Sequence, residues 1–247
     1  MKSVRATLAV IALATTTSAA QAASITLDGL TTPIVYNGEV QAAPEPIASG
    51  VGNTVASGLK WSGGEGFGAG LGDQFLAWCF DLIHPIRLGE TYKYEVVDAP
   101  YSNSYLLSGA DKRVSGLFNA NYDSLDASDP VQAAAFQLAI WEVANDNDLD
   151  LTKGAFQASG LGTNAEDITV VAQTFLANTA KFEGSLTWQT LFLETREAVG
   201  SQNLVTVVRG DEPSITPVPL PAGMLLLFSG LGGIAAFKRR KIRATLE

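Results

Sequence analysis

Two side chains in this sequence have chemistry that their surroundings leave unexplained. The first is Cys79, the single cysteine of the chain, which therefore cannot form an internal disulfide. Its thiol is either buried and inert, paired with another molecule, or used in other chemistry. The second is Gln137, whose amide falls among apolar residues at helical spacing. A buried amide either bonds to a backbone group of a neighbouring strand or is consumed chemically.

The segment that carries Gln137 is predicted to be a helix, beginning at Asp129 and reaching Ala144. Asp129 is a typical N-cap, and Pro130 fits the first turn, where its missing N–H costs nothing. The helix is apolar on almost every side, which predicts a position in the middle of a domain.

The segment that carries Cys79 is predicted to be a strand. Residues 73–82 are aromatic-rich and apolar on both faces, as in a central strand covered on each side. Residues 91–97 alternate polar and apolar side chains, so we expect a half-exposed strand that pairs with it. Two short helices are predicted across 102–122 and a third over 165–180, followed by strands over 186–193 and 203–208. This order predicts an α+β fold, a β-sandwich or barrel with a helical subdomain inserted between strands.

Two other patterns could do chemistry. His84 is the only histidine, which argues against a His-based metal site and leaves it as the sole candidate base for a cysteine nucleophile. Residues 145–150 alternate carboxylates and resemble an EF-hand calcium loop, but Leu151 and Gln157 stand where that pattern needs Gly and Glu. A solvated turn is the expectation, with no metal and no cofactor.

The ends of the chain are predicted to be sorting devices. Residues 1–22 have the charged start, apolar centre and small-residue cleavage site of a signal peptide. The predicted ectodomain is 23–211, followed by a Pro-rich linker over 212–222, a short transmembrane helix over 223–237 and a basic cytoplasmic tail over 238–247. Nine of the 16 basic and 24 of the 25 acidic residues lie between the two ends, which argues against nucleic acid as a partner.

The C-terminal pattern resembles the PEP-CTERM sorting signals of bacteria in their VPLPA variant. It joins an apolar helix and a basic cluster to a motif formed by Val218, Pro219, Leu220, Pro221 and Ala222. The resemblance implies export by the Sec machinery, transient membrane anchoring, and cleavage by an exosortase-type enzyme. The protein would then pass to the cell surface or to an exopolysaccharide biofilm matrix.

A second resemblance covers roughly residues 73–208. The segments 78–81, Trp-Cys-Phe-Asp, and 136–142, Phe-Gln-Leu-Ala-Ile-Trp-Glu, are similar to the Cys and Gln motifs of thioester domains in bacterial surface adhesins. In that family Cys and Gln side chains condense with loss of ammonia, and the thioester captures an amine on a target. The matching positions are Cys79 and Gln137. An aromatic pocket would protect the bond from water, formed by Trp78, Phe80, Phe136 and Trp141.

The leading hypothesis is therefore an exported adhesin that captures a surface amine once and is not a turnover enzyme. Two alternatives stay open. One is a structural matrix protein of the same fold with no reactive bond, whose acidic surface keeps it soluble or binds cations within the polysaccharide. The other is a cysteine-nucleophile hydrolase that uses His84 as its base.

Overall fold

Six antiparallel strands form a closed barrel in the computed structural model, and three further strands form a small sheet. The strands, in chain order, are β1 (Ala22–Leu30), β2 (Asn37–Ala42), β3 (Gly52–Val55), β4 (Leu59–Ser62), β5 (Gln74–Cys79), β6 (Thr91–Val97), β7 (Phe156–Ser159), β8 (Trp188–Thr195) and β9 (Leu204–Arg209). The helices are α1 (Ala110–Asn121), α2 (Pro130–Asn145) and α3 (Ala165–Ala180).

The structure describes residues 22–32, 37–42, 52–82, 84–97, 108–159, 165–195 and 201–210. The described residues all fall within one unit, Ala20–Ile215. The predicted signal peptide up to residue 21 and the predicted linker, sorting motif, transmembrane helix and basic tail lie outside the described residues. Among the helices that are described, none combines the length and the apolar character needed to cross a bilayer.

The strand that ends in Cys79 lies inside the barrel wall, as predicted. The order around the barrel is β1-β4-β5-β9-β8-β6, which places β5 between β4 and β9. The predicted pairing of β5 with β6 is wrong, because β6 pairs with β1 and β8. Closure explains the difference: each strand of a barrel needs two partners, and the segment that follows β8 supplies β9 as the second partner of β5.

The three helices are inserted between barrel strands β6 and β8, so the predicted α+β class and the barrel alternative are confirmed. Helix α3 has the predicted bounds. Of the two short helices predicted across 102–122, with a break near Gly109, the second is observed as α1, which begins at Ala110 and continues into a 3₁₀ turn over Tyr122–Ser124. The first falls in 98–107, which lie outside the described residues.

Helix α2 lies at the centre of the fold. All of its residues from Ala133 to Asn145 are buried, as its apolar pattern predicts. It packs against α1, α3 and the small sheet strand β7, and it approaches β5. Gln137 and Glu142 are fully buried within this helix, with no exposed surface.

The start of α2 is fixed by the predicted cap. The Asp129 carboxylate accepts hydrogen bonds from the backbone N–H groups of Val131 at 2.8 Å and Gln132 at 2.9 Å. Two of the N–H groups that have no partner within the helix are thereby satisfied, and Pro130 removes a third.

Replacement of Asp129 by Ala is expected to lower the free energy of unfolding by about 1 kcal/mol, because both N–H groups lose their acceptor. Urea denaturation of the purified protein measures this. The control is Asp167→Ala, at an exposed position in the first turn of α3, where only a dipole contribution of about 0.3 kcal/mol is lost. Equal losses in the two variants would contradict the capping role.

Candidate functional site

The Gln137 side chain is bound to the main chain of Cys79. Its Oε1 accepts a hydrogen bond from Cys79 N–H at 2.9 Å, and its Nε2 donates to the Cys79 carbonyl oxygen at 2.7 Å. One amide thus satisfies both main-chain groups of one residue, as a paired strand would. Of the two roles considered for a buried amide at this position, the structure shows Gln137 bonded to the backbone of a neighbouring strand.

The thiol of Cys79 contacts a different amide. Its Sγ donates a hydrogen bond to Oε1 of Gln202 at 2.9 Å. Gln202 precedes β9, and Leu204, two residues further along the chain, pairs with Cys79 in the barrel. The structure therefore corrects the predicted partner of the thiol: both polar atoms of the Gln137 amide are committed to the Cys79 backbone, and Gln202 is the glutamine at the sulfur.

Gln202 and the residue that follows it are held in place by three hydrogen bonds. Gln202 Nε2 donates to the carbonyl oxygen of Asp81 at 2.6 Å, and the Gln202 carbonyl oxygen accepts from the Tyr94 hydroxyl at 2.6 Å. The next residue, Asn203, donates its N–H to Oδ2 of Asp81 at 2.7 Å. Only 7% of the Gln202 surface is exposed, so its amide is a buried and oriented group.

Asp81 connects the site to the only histidine. Its Oδ1 accepts from the His84 backbone N–H at 3.0 Å and lies 3.3 Å from His84 Nδ1. The imidazole is therefore paired with a carboxylate. Among the contacts of the described residues, no hydrogen bond joins His84 to the Cys79 thiol.

The electrostatics keep the thiol neutral. Burial raises the pKa of Cys79 well above its ordinary value, and the nearby Asp81 carboxylate raises it further. Burial also raises the pKa of Asp81, although hydrogen bonds from Asn203 and His84 oppose that effect. A thiol in this state is a hydrogen-bond donor to Gln202 and a poor source of thiolate.

A cavity of about 480 Å³ opens onto the pair. Cys79 and Gln202 form part of its wall together with His84 and Trp141, and most of the remaining lining is aliphatic. A small molecule in the cavity could therefore reach the contact between the thiol and the amide.

The predicted aromatic pocket is only partly correct. Trp141 lines the cavity, but Trp78 and Phe136 pack against each other at 5.3 Å between ring centroids, in a cluster with Phe118. Phe80 packs on Phe192, with 5.3 Å between ring centroids. For Trp78 and Phe80 the period of two along a strand explains this, because the neighbours of Cys79 point to the opposite face.

Gln202 was missed for an identifiable reason. It lies in a short polar segment before β9, Ser201-Gln202-Asn203, where no periodic pattern marks a buried amide. The only available signal was position: a polar run directly before the apolar strand β9 must be buried if that strand lies in the barrel wall. That inference needs the strand order, which the sequence does not contain.

One group of carboxylates elsewhere could hold a metal. Within the described part of the chain it consists of Glu142, Asp146 and Asp148, at the C-terminal end of α2.

No protein-family model and no curated protein matches this chain. Two solved structures are similar to part of it. The N-terminal domain of the Streptococcus pyogenes pilus tip adhesin Cpa has a TM-score of 0.40 and 12% identity, covering 71% of this chain and 94% of that one. The N-terminal thioester domain of the fibronectin-binding protein SfbI from Streptococcus pyogenes has a TM-score of 0.37 and 14% identity, covering 69% and 92%. Because these scores and identities are low, the function has to be derived from the contacts of this chain.

Replacement of Gln137 by Leu is expected to lower the free energy of unfolding by about 2–6 kcal/mol. The substitution keeps the volume but leaves the buried N–H and C=O of Cys79 without partners, at about 1–3 kcal/mol each. Chemical denaturation measures the loss. Gln132→Leu on the same helix is the control, since the hydrogen bond that the Gln132 side chain accepts from Asp126 N–H lies at the surface. A similar loss in both variants would show that the bonds between Gln137 and the Cys79 main chain do not stabilise the fold.

Proposed function

We propose that this protein is an exported adhesin that captures an amine covalently and only once, through an internal thioester between Cys79 and Gln202. The observation that carries the proposal is the 2.9 Å contact between Cys79 Sγ and Gln202 Oε1. A thiol and an oriented amide at this distance, both buried, are the reactants that such a bond needs.

The reaction balances without any cofactor. Cys79 Sγ adds to Cδ of Gln202, the Sγ–Cδ bond forms, and the Cδ–Nε2 bond breaks. The thiol proton leaves with the nitrogen as ammonia. In the capture step an amine nitrogen attacks Cδ, the new C–N bond forms, the Sγ–Cδ bond breaks, and the proton of the amine returns to Cys79 as a thiol.

The surrounding contacts favour this step. The Asp81 carbonyl oxygen accepts a hydrogen bond from Gln202 Nε2, the nitrogen that must leave. The Gln137 side chain fixes the main chain of Cys79, the attacking residue. Holding two reacting groups in one geometry replaces a bimolecular encounter and lowers the entropic part of the barrier.

The cavity supplies the route for the amine. Its largely aliphatic wall accepts the stem of an alkyl amine.

The cellular location of the protein is proposed from its terminal sequences. The signal peptide would bring it to the Sec machinery, and an exosortase-type enzyme would cut near the 218–222 motif after transient anchoring in the membrane. The adhesin would then act at the cell surface or in an exopolysaccharide matrix, on a target that carries amines. The acidic ectodomain sequence agrees with a partner other than nucleic acid.

The test is the intact mass of the purified full-length chain before and after exposure to methylamine. We expect a mass lower by one ammonia, a gain of one methylamine on exposure, and a titratable thiol that appears at the same time. Peptide mapping is expected to locate the methylamide at residue 202. Full mass with a titratable thiol in folded, freshly prepared protein would instead leave a structural matrix protein.

Matched variants identify the acyl donor. Cys79→Ala and Gln202→Glu are both expected to have full mass and no reaction with methylamine, whereas Gln189→Glu, at an exposed position of β8, reacts like the parent chain. A methylamide located at residue 137, or a reaction with methylamine that persists in Gln202→Glu, would show that Gln202 is not the acyl donor.

The hydrolase alternative predicts a different response at His84. Replacement of His84 by Ala is expected to change the rate of methylamine capture by less than about tenfold, because the imidazole contacts Asp81 and makes no hydrogen bond to the thiol. Loss of an essential general base would slow the reaction by about 10²-fold or more. Time-resolved intact mass spectrometry separates the two outcomes.

A further inference from the structure

The loop after α2 gathers three carboxylates. Glu142 and Asp146 lie one turn apart at the end of the helix, and Asp148 follows two residues later. Each contributes an oxygen, and these oxygens all lie within 4.8 Å of one another. Carboxylates at such distances repel one another unless a proton or a cation lies between them.

Glu142 is the member that demands a partner. The residue is fully buried. Its Oε1 accepts from the Asp150 N–H at 2.9 Å, while Oε2 has no hydrogen-bond partner. A buried carboxylate oxygen without a donor is costly, so a ligand that supplies positive charge at this position is favoured.

The basic side chains nearest the loop are engaged with other acceptors. Lys153 forms an ion pair with Asp150 at 3.0 Å. Arg113, from α1, donates through Nε to the Val143 carbonyl oxygen at 2.7 Å and through its terminal nitrogen to that of Ser108 at 3.0 Å. Arg113 also interacts electrostatically with Asp146, and Lys153 with Asp148. Because each of these cations is also bonded to other acceptors, they offset the charge of the three carboxylates only in part, and an added cation would neutralise the rest.

The loop is built to keep the carboxylates together. Asp146 accepts from the N–H groups of Ala155 and Phe156, which ties the end of α2 to β7. Gly154 has a φ of +85°, and a Cβ at that position would lie against the carboxylate oxygens of Asp146 and Asp148. A glycine is therefore required here both by backbone conformation and by the space that the acidic groups occupy.

We propose that Glu142, Asp146 and Asp148 bind one Ca²⁺ ion. Three carboxylate oxygens are hard ligands of the kind that calcium takes at about 2.3–2.6 Å, in an irregular arrangement that magnesium accommodates less readily. The exposed position of Asp148 leaves one side of the ion to water. The EF-hand pattern has its Glu downstream of the Asp run, whereas the buried Glu142 lies upstream of it, on α2.

The test is a calorimetric titration of CaCl₂ into the metal-free full-length chain, with MgCl₂ in parallel. We expect one calcium per chain, a dissociation constant on the order of 10⁻⁶ to 10⁻³ M, and weaker binding of magnesium. Thermal denaturation is expected to show a higher Tm in calcium, because the ion stabilises the folded loop.

Variants separate this site from general acidity. Glu142→Gln and Asp148→Asn are each expected to weaken calcium binding by about tenfold or more. Asp126→Asn is the matched control and should bind like the parent, since Asp126 also accepts hydrogen bonds within an exposed acidic turn. Because Asp148 is exposed, its variant should fold even if Glu142→Gln does not. No binding at millimolar calcium, or equal weakening by Asp126→Asn and Asp148→Asn, would overturn the proposal.

Discussion

The structure depends on one pair of hydrogen bonds, between the Gln137 amide and the main chain of Cys79. A closed barrel must satisfy the backbone of every strand, and a helix buried on all sides must account for any polar side chain that it carries. These two constraints are met by the same contact. The amide takes the place of a strand for one residue of β5, and in doing so it fixes the position of the central helix relative to the barrel wall.

Local patterns in the sequence predicted the elements that carry the site but not the partners of those elements. The alternation in β6, the apolar strand β5 and the capped helix α2 each follow from local patterns. Which strand lies beside β5 does not, because closure is a property of the whole chain. The same limit explains the site: Cys79 and Gln137 were recognisable as anomalies, whereas Gln202 owes its burial to β9 joining β5.

Helix α2 serves two sites through residues five positions apart. Gln137 faces the barrel at Cys79, and Glu142 faces the acidic loop. Because the helix is buried on all sides, it cannot shift at one end without disturbing the packing at the other. A fixed conformation of the acidic loop therefore helps to hold the Gln137 amide in position. That amide in turn fixes the main chain of Cys79, which carries the thiol.

The location of Gln202 directly before β9 has a mechanical consequence. In a protein anchored through its C-terminal segment, tension on a target attached to Gln202 would run along the main chain from residue 202 towards the anchor. Within the part of the chain that the structure describes, β9 is the one barrel strand on that path, and its backbone is already extended, at about 3.3 Å per residue. Unfolding of the chain before residue 202 would therefore add no length to the tether, and the covalent link would stay short under load.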